Sequence, residues 1–564
     1  MLLDRPRLAE LQALDVDLTI IGGGPVGLVS ALAARAAGAR VLLLESGRMD
    51  RDPAIQSQSD DTIDTPDTHH AGPLTTSRRL GGAGHLWGGR CVPFDPIDFR
   101  GRPWLAGCTE DWPVTAADLA PYLAPALDYL GAGEPLLEDP LPAPLNTRLD
   151  ADTAFTAHRL ERWTADPRIE RRHMAQLRAD RDLYVALGCS VCSAKHTKDR
   201  ITHLDVWTEA EGRAAALPVG QVILAAGGVA STRFLLALQA NHPALFGGAQ
   251  GPLGRFYMGH VNGQIADITF EDAALQDAFC YYTDAAGSYI RRRITPSEQT
   301  QQDHQLSNVA FWPVVPEISD ARHRSGPLSA VFLGLSMPWL GPRLIAQAIR
   351  LKHIGPPPYR RLPHLRNLLT DPVGTLGFVP AFIWQRYGAR TRVPGFFLRN
   401  PAQRYGLEFH AEHLPNATSR ITLDPTRRDR TGLPHARVDF RFTQDDAAPI
   451  LRAHEALEDW LKRRGLGRLS YRYGPEVPAR GIFEEAKHGN HQIGTARMGH
   501  DASDGVVDRW GTCFDLRNLH IASTAVLPSS SQANPTLAAV QLALRTVAHL
   551  QQTGALSGQE TPHG

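Results

Sequence analysis

The apolar positions of this chain fall into short unbroken runs near its start and into alternating patterns farther along. Residues 17–21 read DLTII, a β-branched run of the kind needed by a strand buried on both faces. An Ala/Leu-rich stretch of helical character follows, and then a second apolar run at 41–44. Residues 49–75 are rich in Asp, Thr, Ser and Pro, which predicts a surface excursion, and 106–180 carry Trp, Pro and Leu spacings that predict helical packing. Strand-like runs return at 182–191 and 201–208, and 221–226 (QVILAA) predict a buried strand that ends in Gly227-Gly228 and feeds a helix at 231–238. Residues 408–440 alternate apolar and polar with turns between. That pattern predicts an antiparallel sheet with one open face, suited to walling a substrate cavity.

Glycines give these runs a chemical meaning. Gly22, Gly24 and Gly27 form GxGxxG directly after the first strand, a helix follows, and the second strand ends in Glu45. The first glycine allows a tight turn, the second admits a pyrophosphate against the backbone, and the third lets helix and strand pack closely. The helix N-terminus then faces the phosphates, and the acid takes the ribose hydroxyls. Glu45 would repel a 2′-phosphate, which disfavours NADP, but the motif does not separate NAD from FAD. The second strand–Gly-Gly–helix unit predicts a Rossmann-type sheet completed by distant sequence. The fold class expected is therefore α/β, with a discontinuous nucleotide domain (1–105, 181–265 and 486–564). An α+β antiparallel-sheet substrate domain would take 106–180 and 266–485.

Composition narrows the classes. With 43% hydrophobic and 21% charged residues the chain is an ordinary globular one, and its formal net charge of zero points to neither nucleic acid nor membrane as a whole-chain partner. Six cysteines are too sparse for a disulfide framework. The Cys189–Cys192 pair lies in a strand-like run, so a packing role is expected over a redox or metal one. The N-terminus has acids scattered through it and no apolar core of the signal-peptide type, and the uncharged stretch 325–342 is broken by prolines; a cytoplasmic protein is expected. One segment breaks the balance. Residues 343–399 hold ten bases against the single acid Asp371, with aromatics interleaved and prolines cutting them into short helices. Such a segment suits an anionic membrane face or a phosphate-bearing substrate; a subunit contact or solvated arm is the plainer reading.

The tail adds two phrases, KHGNHQIGTARMG at 487–499 and SSQANPTL at 530–537. Taken with the glycine motif, the loop LGGAGHLWGG at 80–89, EHLPNATSRITL and NLHIASTAVLPSS, they resemble the glucose–methanol–choline (GMC) family of flavin oxidoreductases, most closely its pyranose oxidase and sugar dehydrogenase branch. The resemblance runs, with gaps, from about residue 17 to residue 550. It implies that the early glycines and Glu45 hold the ADP half of FAD and that residues 81–89 run along the isoalloxazine. The Asn534-Pro535-Thr536 turn would open a helix toward the flavin's pyrimidine end. His491 falls on the family's catalytic histidine and Asn534 on its partner. Cofactor-side positions are implied for Arg79, Gly82, Gly84, His85, Trp87, Gly88, Cys192, Ala226, Gly227, Thr524, Ala525, Pro535 and Thr536, and no metal is expected.

The residue types suit alcohol oxidation. An imidazole can take the hydroxyl proton at working pH, an amide can orient the hydroxyl, and a flavin accepts the hydride. The alternatives are a core role for His491, a helix-cap role for Asn534, a relative that keeps FAD without net redox chemistry, and a dehydrogenase of lipid or phosphate-bearing substrates at a membrane. Two departures from the family pattern bear on the cofactor. Leu86 stands where pyranose oxidases carry a histidine joined covalently to flavin, so non-covalent FAD is expected. The strand phrase NLHIASTA shifts the ribityl-chain contact to Ser523 or Thr524. The substrate expected is a small alcohol or sugar, with oxygen or another acceptor taking the electrons.

Overall fold

Leu18–Ile21 and Val41–Glu45 pair in parallel, and both are buried along their whole length. They form the centre of a six-stranded sheet in the order Leu2–Asp4, Leu183–Leu187, Val41–Glu45, Leu18–Ile21, Gln221–Leu224, Leu519–Ile521, with every pairing parallel. This computed structural model describes residues 1–143, 145–150, 152–341, 354, 355, 357–384, 393, 394, 397–474 and 478–556. Successive residues of the central strands alternate between two apolar cores: Leu18, Ile20, Val41 and Leu43 share one, Ile21, Leu42 and Leu44 the other. Helices Pro25–Ala36 and Thr536–Gln552 supply Leu28, Leu32, Leu537 and Val540 to the first core. Helix Gly228–Asn241 supplies Phe234, Leu235 and Leu238 to the second. Coverage of both faces is why these strands read as unbroken apolar runs.

A second sheet is antiparallel, in the order Val309–Val314, Arg404–Glu412, His260–Phe270, Gly467–Tyr471. Helix Gln444–Arg463 lays Ile450, Leu457, Trp460 and Leu461 into the core shared with this sheet. A smaller antiparallel sheet joins Arg90–Cys91, Leu160–Trp163, Tyr289–Arg292 and Tyr282–Thr283.

Three expectations are corrected. The alternating stretch 408–440 is not one open-faced sheet: Arg404–Glu412 is largely buried within the second sheet, whereas Arg420–Arg428 pairs with Pro434–Asp439 and, through it, with Thr62–Ile63. Residues 49–75 are a surface excursion only in part: Ile55, Gln56, Gln58, Ser59 and His69 are buried, and distant partners meet most of their polar groups, as in the 2.9 Å contact of His69 Nε2 with the Tyr257 hydroxyl. Residues 106–180 contain the expected helices but also the strand Leu160–Trp163, buried throughout. Of the basic segment, Arg343, Arg350, Lys352, Arg386, Tyr387, Arg390, Arg392 and Phe396 lie outside the described residues; the described part forms helices Arg361–Thr370 and Pro372–Ile383.

Candidate active site

The three motif glycines do three different things. Gly22 has φ +107°, and a Cβ there would meet Ala225 O at 2.7 Å. A Cβ on Gly27 would lie 1.9 Å from Gly22 O, so helix and strand can approach only because none is present. Gly24 is open: its nearest neighbour would be Gly82 Cα at 4.0 Å. That open side faces a cavity of about 350 Å³ that runs from Gly22 and Glu45 past Gly82, Trp87 and Gly227 to His491 and Asn534. Glu45 is buried at the near end. Its Oε1 accepts from Gly47 N at 2.7 Å and from the Ser46 hydroxyl at 3.2 Å, while Oε2 accepts only from Gly23 N at 2.7 Å and has lone-pair capacity left for a hydroxyl donor. An elongated cavity, with a glycine cradle at a helix N-terminus and a buried carboxylate beside it, fits the adenosine half of a dinucleotide.

His491 stands at the far end on a loop fixed from both sides. The next residue, Gln492, accepts from Val229 N through Oε1 (2.9 Å) and from the Thr524 hydroxyl through its carbonyl (2.6 Å). Ile493 exchanges two backbone hydrogen bonds with Met258, at 3.0 and 2.9 Å. Two residues before Ile493 and two beyond Met258, that antiparallel bridge sets His491 opposite His260. Their Nδ1 atoms are 2.8 Å apart.

The direction of every hydrogen bond around this pair follows from groups that cannot reverse. His260 Nε2 lies 3.1 Å from Ser530 O, which only accepts, so Nε2 of the neutral ring carries the proton and Nδ1 the lone pair. His491 therefore donates from Nδ1, and its own lone pair is on Nε2. That nitrogen faces Asn534 Nδ2 at 3.2 Å, and the amide is oriented by Arg90, whose Nη1 donates to Asn534 Oδ1 at 3.0 Å. Burial, then the neighbouring His260 and Arg90, hold the His491 ring well below the usual histidine pKa. His491 keeps a partly open face only toward the cavity. The result is a neutral imidazole whose free lone pair faces Asn534.

Asn534 is held from behind. Ser531 adopts φ +59°, unusual for a side-chain-bearing residue, and its hydroxyl donates to Asp98 at 2.6 Å while Gln532 Nε2 donates to Asp95 at 2.9 Å. Burial, followed by the charge of Asp95, pushes the Asp98 carboxyl up. Arg90 is fixed by Glu161, which also binds Arg291, and by stacking over Trp312 at 4.5 Å. His410 backs the histidine pair: its ring stacks on His260 with centroids 4.3 Å apart, and its Nδ1 bonds to Gln532 O at 2.5 Å. Nitrogens of His260, His410 and His491 lie within 4.8 Å of one another. The near-parallel His260 and His410 rings aim their lone pairs side by side, however, not at a common ion.

The cavity gathers Gly22, Gly24, Glu45, Gly82, Trp87, Gly88, Ala226, Gly227, His491, Thr524, Asn534, Pro535 and Thr536. Gly27 lies behind them in the helix–strand contact. Arg79, Gly84, His85, Cys192 and Ala525 are not among the lining residues. Arg78 takes the lining place beside Arg79; Cys192 lies in the strand Cys189–Thr197, its thiol directed to Asp205 O at 3.1 Å. His85 turns to Leu80 O at 2.9 Å, and the Trp87 indole donates to Pro167 O at 2.7 Å. All six cysteines are free thiols. Sequence reasoning missed Arg90, His260, His410 and Trp312. Arg90 adjoins the glycine loop and was within reach; the other three sit in strands where nothing local marks them.

Residues 415–543 match the GMC oxidoreductase family model. The fructose dehydrogenase large subunit of Gluconobacter japonicus is 30% identical over 143 residues, which is 25% of this chain and 24% of that protein. The 2-methyl-1,2-propanediol dehydrogenase of Mycolicibacterium austroafricanum is 23% identical over 596 aligned positions, 94% of each chain. The crystal structure of pyridoxine 4-oxidase from Mesorbium loti matches with a TM-score of 0.51 at 18% identity, covering 95% of this chain and 99% of that one, and so shares the fold. Residues 415–543 are thus a GMC oxidoreductase C-terminal domain, and over nearly its whole length the chain is similar to a dehydrogenase and shares its fold with an oxidase.

Proposed function

We propose that this enzyme oxidises an alcohol group of a sugar, glycoside or polyol-like molecule to a carbonyl, with His491 as the base and Asn534 as its partner. The observation that carries the reading is the lone pair of His491 Nε2, facing the Asn534 amide at the end of the cavity. A hydroxyl seated against the two can donate its proton to His491 Nε2 and accept a hydrogen bond from Asn534 Nδ2. As the proton leaves, the amide and the nearby Arg90 guanidinium stabilise the growing negative charge on oxygen. His260 acts through His491: by accepting from Nδ1 it keeps the Nε2 lone pair free, and it shares the positive charge once the proton has been taken.

FAD fits the rest of the cavity. Gly22, Gly24 and Glu45 would hold its adenosine diphosphate half, and Gly82, Trp87, Gly88, Thr524, Pro535 and Thr536 would line its ring end. When bound, the flavin supplies the acceptor for the hydride that leaves the carbinol carbon. We take the attachment to be non-covalent, because Leu86 faces the cavity while His85 is tied to Leu80 O.

The names of the relatives suggest where to look for substrates. The test is anaerobic bleaching of the visible flavin band, screened with fructose, 2-methyl-1,2-propanediol and pyridoxine, followed by air. Bleaching by at least one alcohol supports the reading, and recovery in air identifies oxygen as an acceptor. An FAD-loaded enzyme that is bleached by none of them, yet by dithionite, would contradict it.

A further inference from the structure

Helix Arg361–Thr370 presents its faces the wrong way round for a helix exposed to water. The side packed on the protein is largely polar: His364 contacts Ser329 Oγ and Ser319 O, each at 3.2 Å, and Asn367 Nδ2 donates to Ala321 O at 2.9 Å, with Leu368 the one leucine turned inward. The outward side carries Leu362, Leu365 and Leu369, exposed by 80%, 45% and 82%, with Arg366 among them at helical spacing. The next helix, Pro372–Ile383, has no charged residue, and its Val373 and Leu376 are 83% and 76% exposed. Trp339 and Trp384 add exposed indoles close in sequence to these helices. Single exposed apolar residues need no explanation; a contiguous set on two consecutive helices does.

Charge decides what covers this face. The segment 343–399 has ten bases and one acid. That acid, Asp371, is already committed, since its carboxylate accepts from Gly326 N at 3.0 Å and Gly374 N at 3.1 Å at the junction of the helices. The exposed charges described on this face, Arg360, Arg361 and Arg366, are all positive, so a second copy of it would bring like charges together. We propose that this helical pair docks the enzyme on an anionic lipid bilayer, the leucines entering the boundary between headgroups and acyl chains and the bases meeting lipid phosphates. It lies on the membrane and does not cross it: the 12 residues of Pro372–Ile383 span about 18 Å, short of the roughly 30 Å hydrocarbon core. No helix among the described residues is long and apolar enough to span.

The position in the chain gives the docking a consequence. The segment leaves the second sheet after Val309–Val314 and re-enters at Arg404–Glu412, and those adjacent strands carry Trp312 and His410 of the site. Docking would hold one end of the sheet that walls the active site against the bilayer.

The experiment is flotation of the full-length, FAD-loaded enzyme with phosphatidylcholine vesicles, with or without phosphatidylglycerol, at low and high salt. The proposal expects flotation with the anionic vesicles only, weakened by salt. It also expects a fall of at least about tenfold in partitioning for Leu369→Glu/Leu376→Glu. Both side chains are solvent-exposed, so melting temperature and dithionite-reducible flavin content should not change. Absence of flotation, or flotation that survives the double substitution, overturns the proposal. So does a dimer of the parent enzyme that the same substitutions split, with no vesicle binding; that outcome would make this face a subunit contact.

Discussion

His491 and His260 are joined through their Nδ1 atoms at 2.8 Å across 231 residues of sequence, and this contact fixes which nitrogen of His491 carries the lone pair. With Ser530 O compelling His260 Nε2 to donate, the pair has only one arrangement of protons while both rings are neutral. His260→Phe removes the acceptor and frees the wrong tautomer, and kcat/KM is expected to fall by about 10²-fold. His260→Gln, which keeps an acceptor oxygen, should recover most of that loss. A packing defect alone would lower both variants alike.

The pH profile of the parent enzyme follows from the same depression. A base whose pKa is lowered keeps its lone pair as pH falls through the ordinary histidine range near 6.5, and loses it only at the depressed value. The acid limb of kcat/KM is expected below pH 6.5; a limb at or above that value would contradict the burial of His491 as an unprotonated ring. The measurement is initial rate against pH at substrate concentrations well below KM.

Gly24 and Gly27 are expected to fail differently. A Cβ on Gly27 would sit 1.9 Å from Gly22 O, so Gly27→Ala should lower stability by about 1–3 kcal/mol or more as well as cofactor content. Gly24→Ala meets nothing closer than 4.0 Å within the protein. It should melt like the parent as apoprotein and yet bind FAD more weakly. Differential scanning fluorimetry of apoprotein, beside FAD titration by fluorescence quenching, separates the two effects.

Precipitation with trichloroacetic acid should leave the yellow colour in the supernatant, because no nucleophile replaces the cavity-facing Leu86. Colour retained in the pellet would show a covalent link formed elsewhere.

The cofactor end of this site was legible in the sequence because its constraints are local. A tight turn, a close approach and a helix–strand contact each demand glycine at a fixed spacing, and Glu45 ends the next strand. His491 and Asn534 were legible because each stands in a distinctive phrase. The residues that orient them were not. His260 and His410 occupy ordinary positions of buried strands, and only the pairing of Met258 with Ile493 and of Asn262 with His410 brings them to the cavity. Residues 49–75 misled in part for the opposite reason: polar composition suggested exposure, but a partner such as Tyr257 lets the chain bury His69 with its hydrogen bond met.

The most direct test of the central claim is the anaerobic rate of flavin bleaching in FAD-loaded His491→Ala, measured by stopped flow with an alcohol that bleaches the parent enzyme. The variant should take up FAD and melt near the parent temperature, and its bleaching rate should be lower by at least about 10²-fold. A loaded, folded His491→Ala that is bleached at nearly the parent rate would contradict the assignment of His491 as the base.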